Sequence, residues 1–209
     1  MLKTIASDFL MKKFMITVVA LLTLGATTVF ASDKADQAGA FLQNLRDEAV
    51  EKVKDDSLSP DERSEEFKAL IARNFDIEDT ARFVVGRFWR KADKQERSDF
   101  TELFQNILVQ RFLPVFEEYA EAEFKVVESK KRKDYFIVTT TILTPNGEPA
   151  NLFWRVDPKG EDSFRIKDVA PEGISMRSTY REDYTSALKS LKGDMTEFNA
   201  KLREKLNKS

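Results

Sequence analysis

The apolar positions along the chain change period twice, from helical to alternating and back, and those changes separate helix-forming from strand-forming sequence. From about Ala35 to Lys54, apolar residues recur at Ala38, Phe41, Leu42, Leu45, Ala49 and Val53, the stripe of a helix with one buried face. Ser59-Pro60-Asp61-Glu62 then predicts a helix start, with Ser59 as N-cap, Pro60 in the first turn and Glu62 closing a capping box. The short helix it opens buries Phe67, Leu70 and Ile71. Asp76 predicts another over Ile77 to Val85, with Gly86 as its left-handed terminal residue. Asp93-Lys94-Gln95-Glu96 repeats the capping pattern and starts the longest helix, whose Phe100, Leu103, Phe104, Ile107, Leu108 and Phe112 keep helical spacing. Pro114 is expected to kink or interrupt it, with a further helical piece through Val115, Phe116 and Tyr119.

The period then drops to two. Phe124 to Glu128, Tyr135 to Leu143, Ala150 to Val156 and Ser163 to Val169 alternate and are rich in β-branched and aromatic residues. Turn chemistry at Pro145-Asn146-Gly147 and Pro158-Lys159-Gly160 separates them, so short connections predict an antiparallel meander of four strands. One face of the second strand carries Phe136, Val138, Thr140 and Ile142, and one face of the third carries Leu152, Trp154 and Val156. In the fourth, Phe164, Ile166 and Asp168 alternate with Arg165, Lys167 and Val169. After a corner at Pro171 and Gly173, Tyr180, Tyr184, Ala187, Leu188 and Leu191 mark a helix ending at Gly193. Asp194 and Glu197 cap a last one, with Met195, Phe198, Leu202 and Leu206 on its buried side. Helices, a meander, then helices predict an α+β fold, a four-stranded antiparallel sheet packed on a helical layer.

Composition changes this picture at the N-terminus. Met11-Lys12-Lys13 is a basic start, Phe14 to Phe30 is largely apolar, and Val29-Phe30-Ala31 places small residues where a signal peptidase cuts. Residues 1–31 are therefore expected to be a secretory signal peptide cleaved after Ala31, with Met11 the expected true start. No Cys follows the apolar run, so a lipoprotein anchor is not expected. Removing residues 1–31 leaves 178 residues, with 31 basic and 35 acidic side chains, one domain with net charge −4. That charge argues against nucleic acid as a partner, since phosphate binding needs clustered positive charge. The chain contains no Cys and no His, so neither disulfides nor a zinc site is expected. Its 17 Phe exceed what one helix–sheet interface needs, and fit an apolar cavity between the sheet and the helices.

Candidate chemistry concentrates in Phe164 to Tyr184. Gly173-Ile174-Ser175 is followed by Met176-Arg177 rather than the small residue and glycine of a nucleophile elbow. Without His, Ser175 has no ordinary general base, although lysines are plentiful. Asp168 and Glu172 are candidate acid–base carboxylates, against a structural reading in which Asp168 pairs with Arg177 or Arg181 and pins the corner. The corner reading, with Asp168, Gly173, Ser175 and Arg181 as its parts, is the one adopted. No glycine-rich phosphate loop is present, so neither a catalytic residue nor a cofactor is expected. Lys130-Lys131-Arg132-Lys133 forms a basic hairpin tip, read as a solvated turn or a contact for anionic headgroups or an acidic partner.

Two signatures together resemble a known family. Phe75-Asp76, Ala81, Gly86, Trp89-Arg90, Gln95, Phe100, Phe104 and Leu108 match the central helical region of the MlaC, or toluene-tolerance auxiliary, proteins. Asp168-Val169, Glu172-Gly173, Ser175, Tyr180-Arg181 and Leu188 match their second signature, in the same order. Phe164 stands where the family usually has Trp, and Pro114 lies in a helix region where Tyr is common. The resemblance implies a periplasmic phospholipid carrier working between an outer-membrane lipoprotein–porin complex and an inner-membrane ABC transporter, and so maintaining outer-membrane lipid asymmetry. A hopanoid or other apolar lipid as cargo, a periplasmic lipid-modifying enzyme and an interaction module are the alternatives. The expected lipid-binding residues, taken from the apolar faces, are Phe83, Phe104, Leu108, Phe112, Phe136, Val138, Leu152 and Trp154. A shift of one register would bring in Tyr135, Ile137 and Phe153 instead.

Overall fold

Helix starts obey local chemistry, and each expected cap is formed. The Ser59 hydroxyl accepts from the Glu62 amide while the Glu62 carboxylate accepts from the Ser59 amide, 2.8 Å away. Asp93 and Glu96 make the same reciprocal box. Asp76 accepts from the Asp79 amide and Asp194 from the Glu197 amide. Each cap satisfies donors that a first helical turn otherwise leaves unpaired.

The computed structural model describes residues 26–144, 146–161 and 163–208. The basic start at Met11 to Lys13 and the apolar run as far as Gly25 lie outside the described residues. The chain divides into two compact units, Met1–Gln37 and Ala38–Ser209. Of the first, the described part is helical. The described elements are helices α1 (Ala26–Val53), α2 (Pro60–Asn74), α3 (Ile77–Val85) and α4 (Lys94–Glu118), then strands β1 (Phe124–Arg132), β2 (Tyr135–Leu143), β3 (Pro149–Pro158) and β4 (Phe164–Pro171). Helices α5 (Met176–Ser190) and α6 (Met195–Leu206) complete them. No helix among the described residues is long and apolar enough to cross a membrane.

The strands form one antiparallel sheet in the order β1-β2-β3-β4, so the fold is the expected α+β arrangement. In β2, Phe136, Val138 and Thr140 are buried and the residues between them are half-buried. Phe136 pairs with Val156, Val138 with Trp154 and Thr140 with Leu152, which gives β2 and β3 a common inner face. Helix α1 lies close to that face. A Cβ added to Gly39 would sit 2.9 Å from Ser129 Oγ and 3.2 Å from Val126 Cγ1, so any larger residue there requires those side chains to shift.

Four details differ from the sequence reading. Strand β1 runs to Arg132 rather than Glu128, so Lys130, Lys131 and Arg132 are strand residues and only Lys133 and Asp134 turn. Pro114 interrupts nothing: α4 is one helix of 25 residues through it. Packing on both sides holds the helix together there, with Phe112 and Phe116 in one core cluster and the Phe116 ring 5.1 Å from Phe67. Gly86 has positive φ but ψ −124°, outside the left-handed helical region, and leads into a 3₁₀ turn over Gly86–Arg90. A register shift in β4 opposite Arg155/Val156 resets its alternation. Val156 pairs with Ile166 but Trp154 pairs with Val169, so Val169 takes the place along the ladder that simple alternation gives to Asp168.

Among the described residues, two buried clusters hold the helices together. One lies between the helices, with Phe100, Phe104, Tyr184 and Phe198 packed ring against ring at 5.4–6.1 Å. The other joins Val53, Phe67, Ile71 and Val109. Much of the phenylalanine load therefore fills core.

Candidate functional site

An apolar cavity of about 270 Å³ opens between the inner face of the sheet and helices α1, α2, α4 and α5. The periodicities that form these elements also build its wall. Leu42 and Leu45 come from the α1 stripe, Phe67, Leu70 and Ile71 from α2, and Phe104, Leu108, Phe112 and Phe116 from α4. The sheet contributes Phe124, Ile142, Leu152, Trp154 and Val169, and α5 adds Met176 and Tyr180. Polar atoms near the wall are mostly satisfied from behind. Trp154 Nε1 donates to Thr140 Oγ1 at 2.8 Å, a buried pair that leaves the indole ring for the cavity. The Arg46 guanidinium turns to the carbonyls of Ala120 and Ala122, just past the end of α4.

The ionic side of the cavity is set by the β4 irregularity. Lys167 Nζ lies 3.4 Å from both Asp76 and Asp79 and 3.6 Å from Asp157. Burial disfavours the Lys167 cation, but the three carboxylates outweigh it and hold its pKa above the ordinary value. Burial likewise pushes the Asp79 carboxyl up, and Arg177 and Lys167 overcome that and hold it below the ordinary range. Arg177 Nη2 donates to Asp79 Oδ2 at 2.8 Å, tying α5 to α3.

Of the eight residues expected to bind lipid, Phe104, Leu108, Phe112, Leu152 and Trp154 line this cavity. Phe83, Phe136 and Val138 are not on its wall. Phe136 and Val138 share the inner sheet face but sit further along it, buried, with the Phe136 ring edge-on to Phe164 at 6.1 Å. Phe83 is claimed by two cations: the guanidinium carbons of Arg177 and Arg181 lie 4.0 and 4.5 Å from its ring centre. Tyr135, Ile137 and Phe153, which a one-residue slip would turn inward, are absent from the wall.

The corner after β4 uses the expected residues with different partners. Asp168 meets neither arginine side chain. Its Oδ2 accepts from Ser175 Oγ at 2.5 Å and its Oδ1 from the Arg177 backbone amide at 3.0 Å. Ser175 is the N-cap of α5 and accepts from the Ser178 amide. The first turn of α5 presents free amides, and the aspartate takes one while the serine takes another. Arg181 donates to the Phe83 carbonyl at 2.5 Å, and Gly86 makes room for it, since a Cβ there would stand 3.1 Å from Arg181 Nη2. Glu172 and Gly173 both have positive φ. The Glu172 backbone amide donates to the Asn151 carbonyl, and its carboxylate accepts from the Asn151 amide, fastening the turn to β3. Ser175, Asp168 and Glu172 are thus engaged in backbone capping.

A family model described as "MlaC protein" matches residues 43–204, more than half of the chain. The chain belongs to the MlaC family. The match takes in every wall residue of the cavity except Leu42. Among solved structures, the chain is similar to a phospholipid-binding protein from Ralstonia solanacearum, whose structure is of its complex with a phospholipid. The two share 19% identity over 85% of this chain and 96% of that one, with a TM-score of 0.62, which establishes a common fold. A search of the curated proteins found no match.

Several wall residues were not among the expected binders, notably Leu42, Phe67, Ile142, Met176 and Tyr180. The first three carry a readable signal, since each lies on an apolar stripe or face. That stripe does not say whether its residues meet neighbouring side chains or empty space. Tyr180 lies on the α5 stripe as well, whereas Met176 carries no such signal, because its position depends on how the corner swings α5 against the sheet.

Proposed function

We propose that this protein is a periplasmic carrier that encloses the acyl tails of a phospholipid and releases them to membrane-bound partners. The observation that carries this reading is the apolar cavity between sheet and helices in a member of the MlaC family. Two tails of about fifteen carbons left in water cost on the order of 20 kcal/mol, at about 0.8 kcal/mol per CH₂. A wall made largely of leucine, isoleucine, phenylalanine and methionine side chains offers that shelter. The cavity of about 270 Å³ is near the lower end of small-molecule sites, which span about 300–1,000 Å³. Loading therefore spreads the helices from the sheet, and unloading closes them.

In this reading residues 1–31 are a signal peptide, and residues 32–209 are the exported domain. The domain moves lipid between an outer-membrane lipoprotein–porin complex and an inner-membrane ABC transporter and so maintains outer-membrane asymmetry. Binding rather than catalysis is favoured by the engagement of Ser175, Asp168 and Glu172 in capping, in a chain without His.

Mass spectrometry of a solvent extract from natively purified protein tests the reading. Phospholipid at close to one molecule per chain is expected. A hopanoid in its place would change the cargo, and protein that is empty from every host would overturn the carrier. Turnover of an added lipid, abolished by Ser175→Ala, would favour an enzyme instead.

A further inference from the structure

Four buried side-chain polar atoms among the described residues have no hydrogen-bond partner: Arg63 Nε, Arg177 Nε, Tyr180 Oη and Asn199 Oδ1. Buried polar groups are rarely left this way, and each instance asks for an explanation. Arg63 and Asn199 lie away from the cavity, whereas Arg177 and Tyr180 both line it. They stand three residues apart at the start of α5 and so share one face of the helix. Both groups are donors, and both are held in place by other contacts. The Arg177 Nη2 is bound to Asp79 at 2.8 Å while the guanidinium lies over Phe83. The Tyr180 ring packs edge-on to Phe104 at 5.6 Å and against Tyr184 at 5.6 Å. Burial raises the Tyr180 pKa, so the phenol keeps its proton.

The other charged groups of the wall, such as Arg46 and Lys167, have protein partners, so these two fixed donors are the ones left for an acceptor that arrives with the cargo. We propose that Tyr180 Oη and Arg177 Nε form a polar subsite that receives an ester carbonyl of a glycerolipid. The proposal rests on the carrier reading and deepens it. The ester carbonyls are the acceptor oxygens that lie next to the tails, and the tails are what the surrounding Phe104, Leu108 and Met176 shelter. A phosphate oxygen has the same acceptor chemistry but stands one glycerol unit further out. The subsite sets the depth to which a lipid enters and favours diacyl over dialkyl-ether chains.

Delipidated full-length mature protein is titrated with a diester phosphatidylcholine and with its diether analogue, identical except for the two carbonyls. Wild type is expected to retain the diester about 5–10-fold more tightly, the size of one hydrogen bond. Tyr180→Phe should bring that ratio close to one, with unchanged or higher thermal stability of the empty protein, because it removes an unsatisfied hydroxyl. Arg177→Lys, which keeps a cation opposite Asp79 but lacks Nε, should also lower the ratio. Wild type binding both lipids equally, or Tyr180→Phe keeping the wild-type ratio, would overturn the subsite while leaving the carrier intact. Equal losses for both lipids in Tyr180→Phe would point to a phosphate acceptor and also overturn it. Wild type taking up neither lipid would overturn the carrier reading and the subsite with it.

Discussion

Removing the carboxylate of Asp168 separates a structural corner from a ligand site. In the folded protein that carboxylate takes two hydrogen bonds, from Ser175 Oγ at 2.5 Å and from the Arg177 amide at 3.0 Å. Both are charge-assisted, and bonds of this kind contribute about 1.5–3 kcal/mol each. The group also stands at the N-terminus of α5, where a negative charge adds about 0.3–1 kcal/mol. In Asp168→Ala the Arg177 amide loses its partner, while the Ser178 amide keeps Ser175. Water reaches part of the half-buried site and re-pairs the freed groups, so the net loss falls at or below the bottom of that sum of about 3–7 kcal/mol, at about 2–4 kcal/mol. For a domain of this length a kilocalorie moves the melting temperature by about 2–4 °C, which predicts a drop of roughly 5–15 °C. Asp168→Asn keeps one acceptor and loses the charge, so its drop should be about half as large. Thermal unfolding followed by circular dichroism at neutral pH measures both, with lipid content determined on the same samples. A full loss of lipid loading with a melting temperature within 1–2 °C of wild type would refute the corner and make Asp168 a ligand group.

The other predictions concern neighbouring parts of the same machinery. Gly86→Ala puts a Cβ 3.1 Å from Arg181 Nη2 at φ +58°, and should cost about 1–3 kcal/mol in denaturant unfolding; a change below 0.5 kcal/mol would show that Arg181 moves aside freely. Leu108→Trp fills part of the cavity and should exclude three or four lipid methylenes, weakening phospholipid retention about a hundredfold. Retention equal to wild type would place the tails elsewhere. Asp79 has a folded-state pKa below its unfolded value near 3.8, so its contribution to stability is present above that value and is lost as pH falls through the folded one. Asp79→Asn should therefore be less stable than wild type at pH 7 and converge with it as the pH falls below the ordinary aspartate range, as read from denaturant midpoints across that range. A gap that stays constant with pH would remove the ion pairs with Lys167 and Arg177 as its cause.

The sequence by itself determined what depends on neighbours a few residues away. Ser59 with Glu62, Asp93 with Glu96, and Asp194 each start their helices as read, because a cap is a contact spanning three residues. The meander is equally local, since short turns leave each strand no partner but the one before it. Alternation in β2 and β3 placed Leu152 and Trp154 inward for the same reason, and the α4 stripe did so for Phe104 and Leu108.

What the tertiary structure alone decided are the choices between chemically equivalent partners. One irregularity in β4 puts Val169 rather than Asp168 opposite Trp154, and no residue type in Ile166-Lys167-Asp168 announces it. Asp168 takes an amide instead of a guanidinium because Asp79, far away in sequence, holds Arg177 first. Phe83 looks like any other aromatic of its stripe, yet Arg177 and Arg181 cover it and keep it off the cavity. Pro114 breaks a helix in isolation but not one clamped by Phe112 and Phe116. An apolar period reports that a face leaves water. Whether that face meets other side chains or the space in which a lipid can lie depends on how far apart the packed elements come to rest, and that distance is a property of the assembled fold.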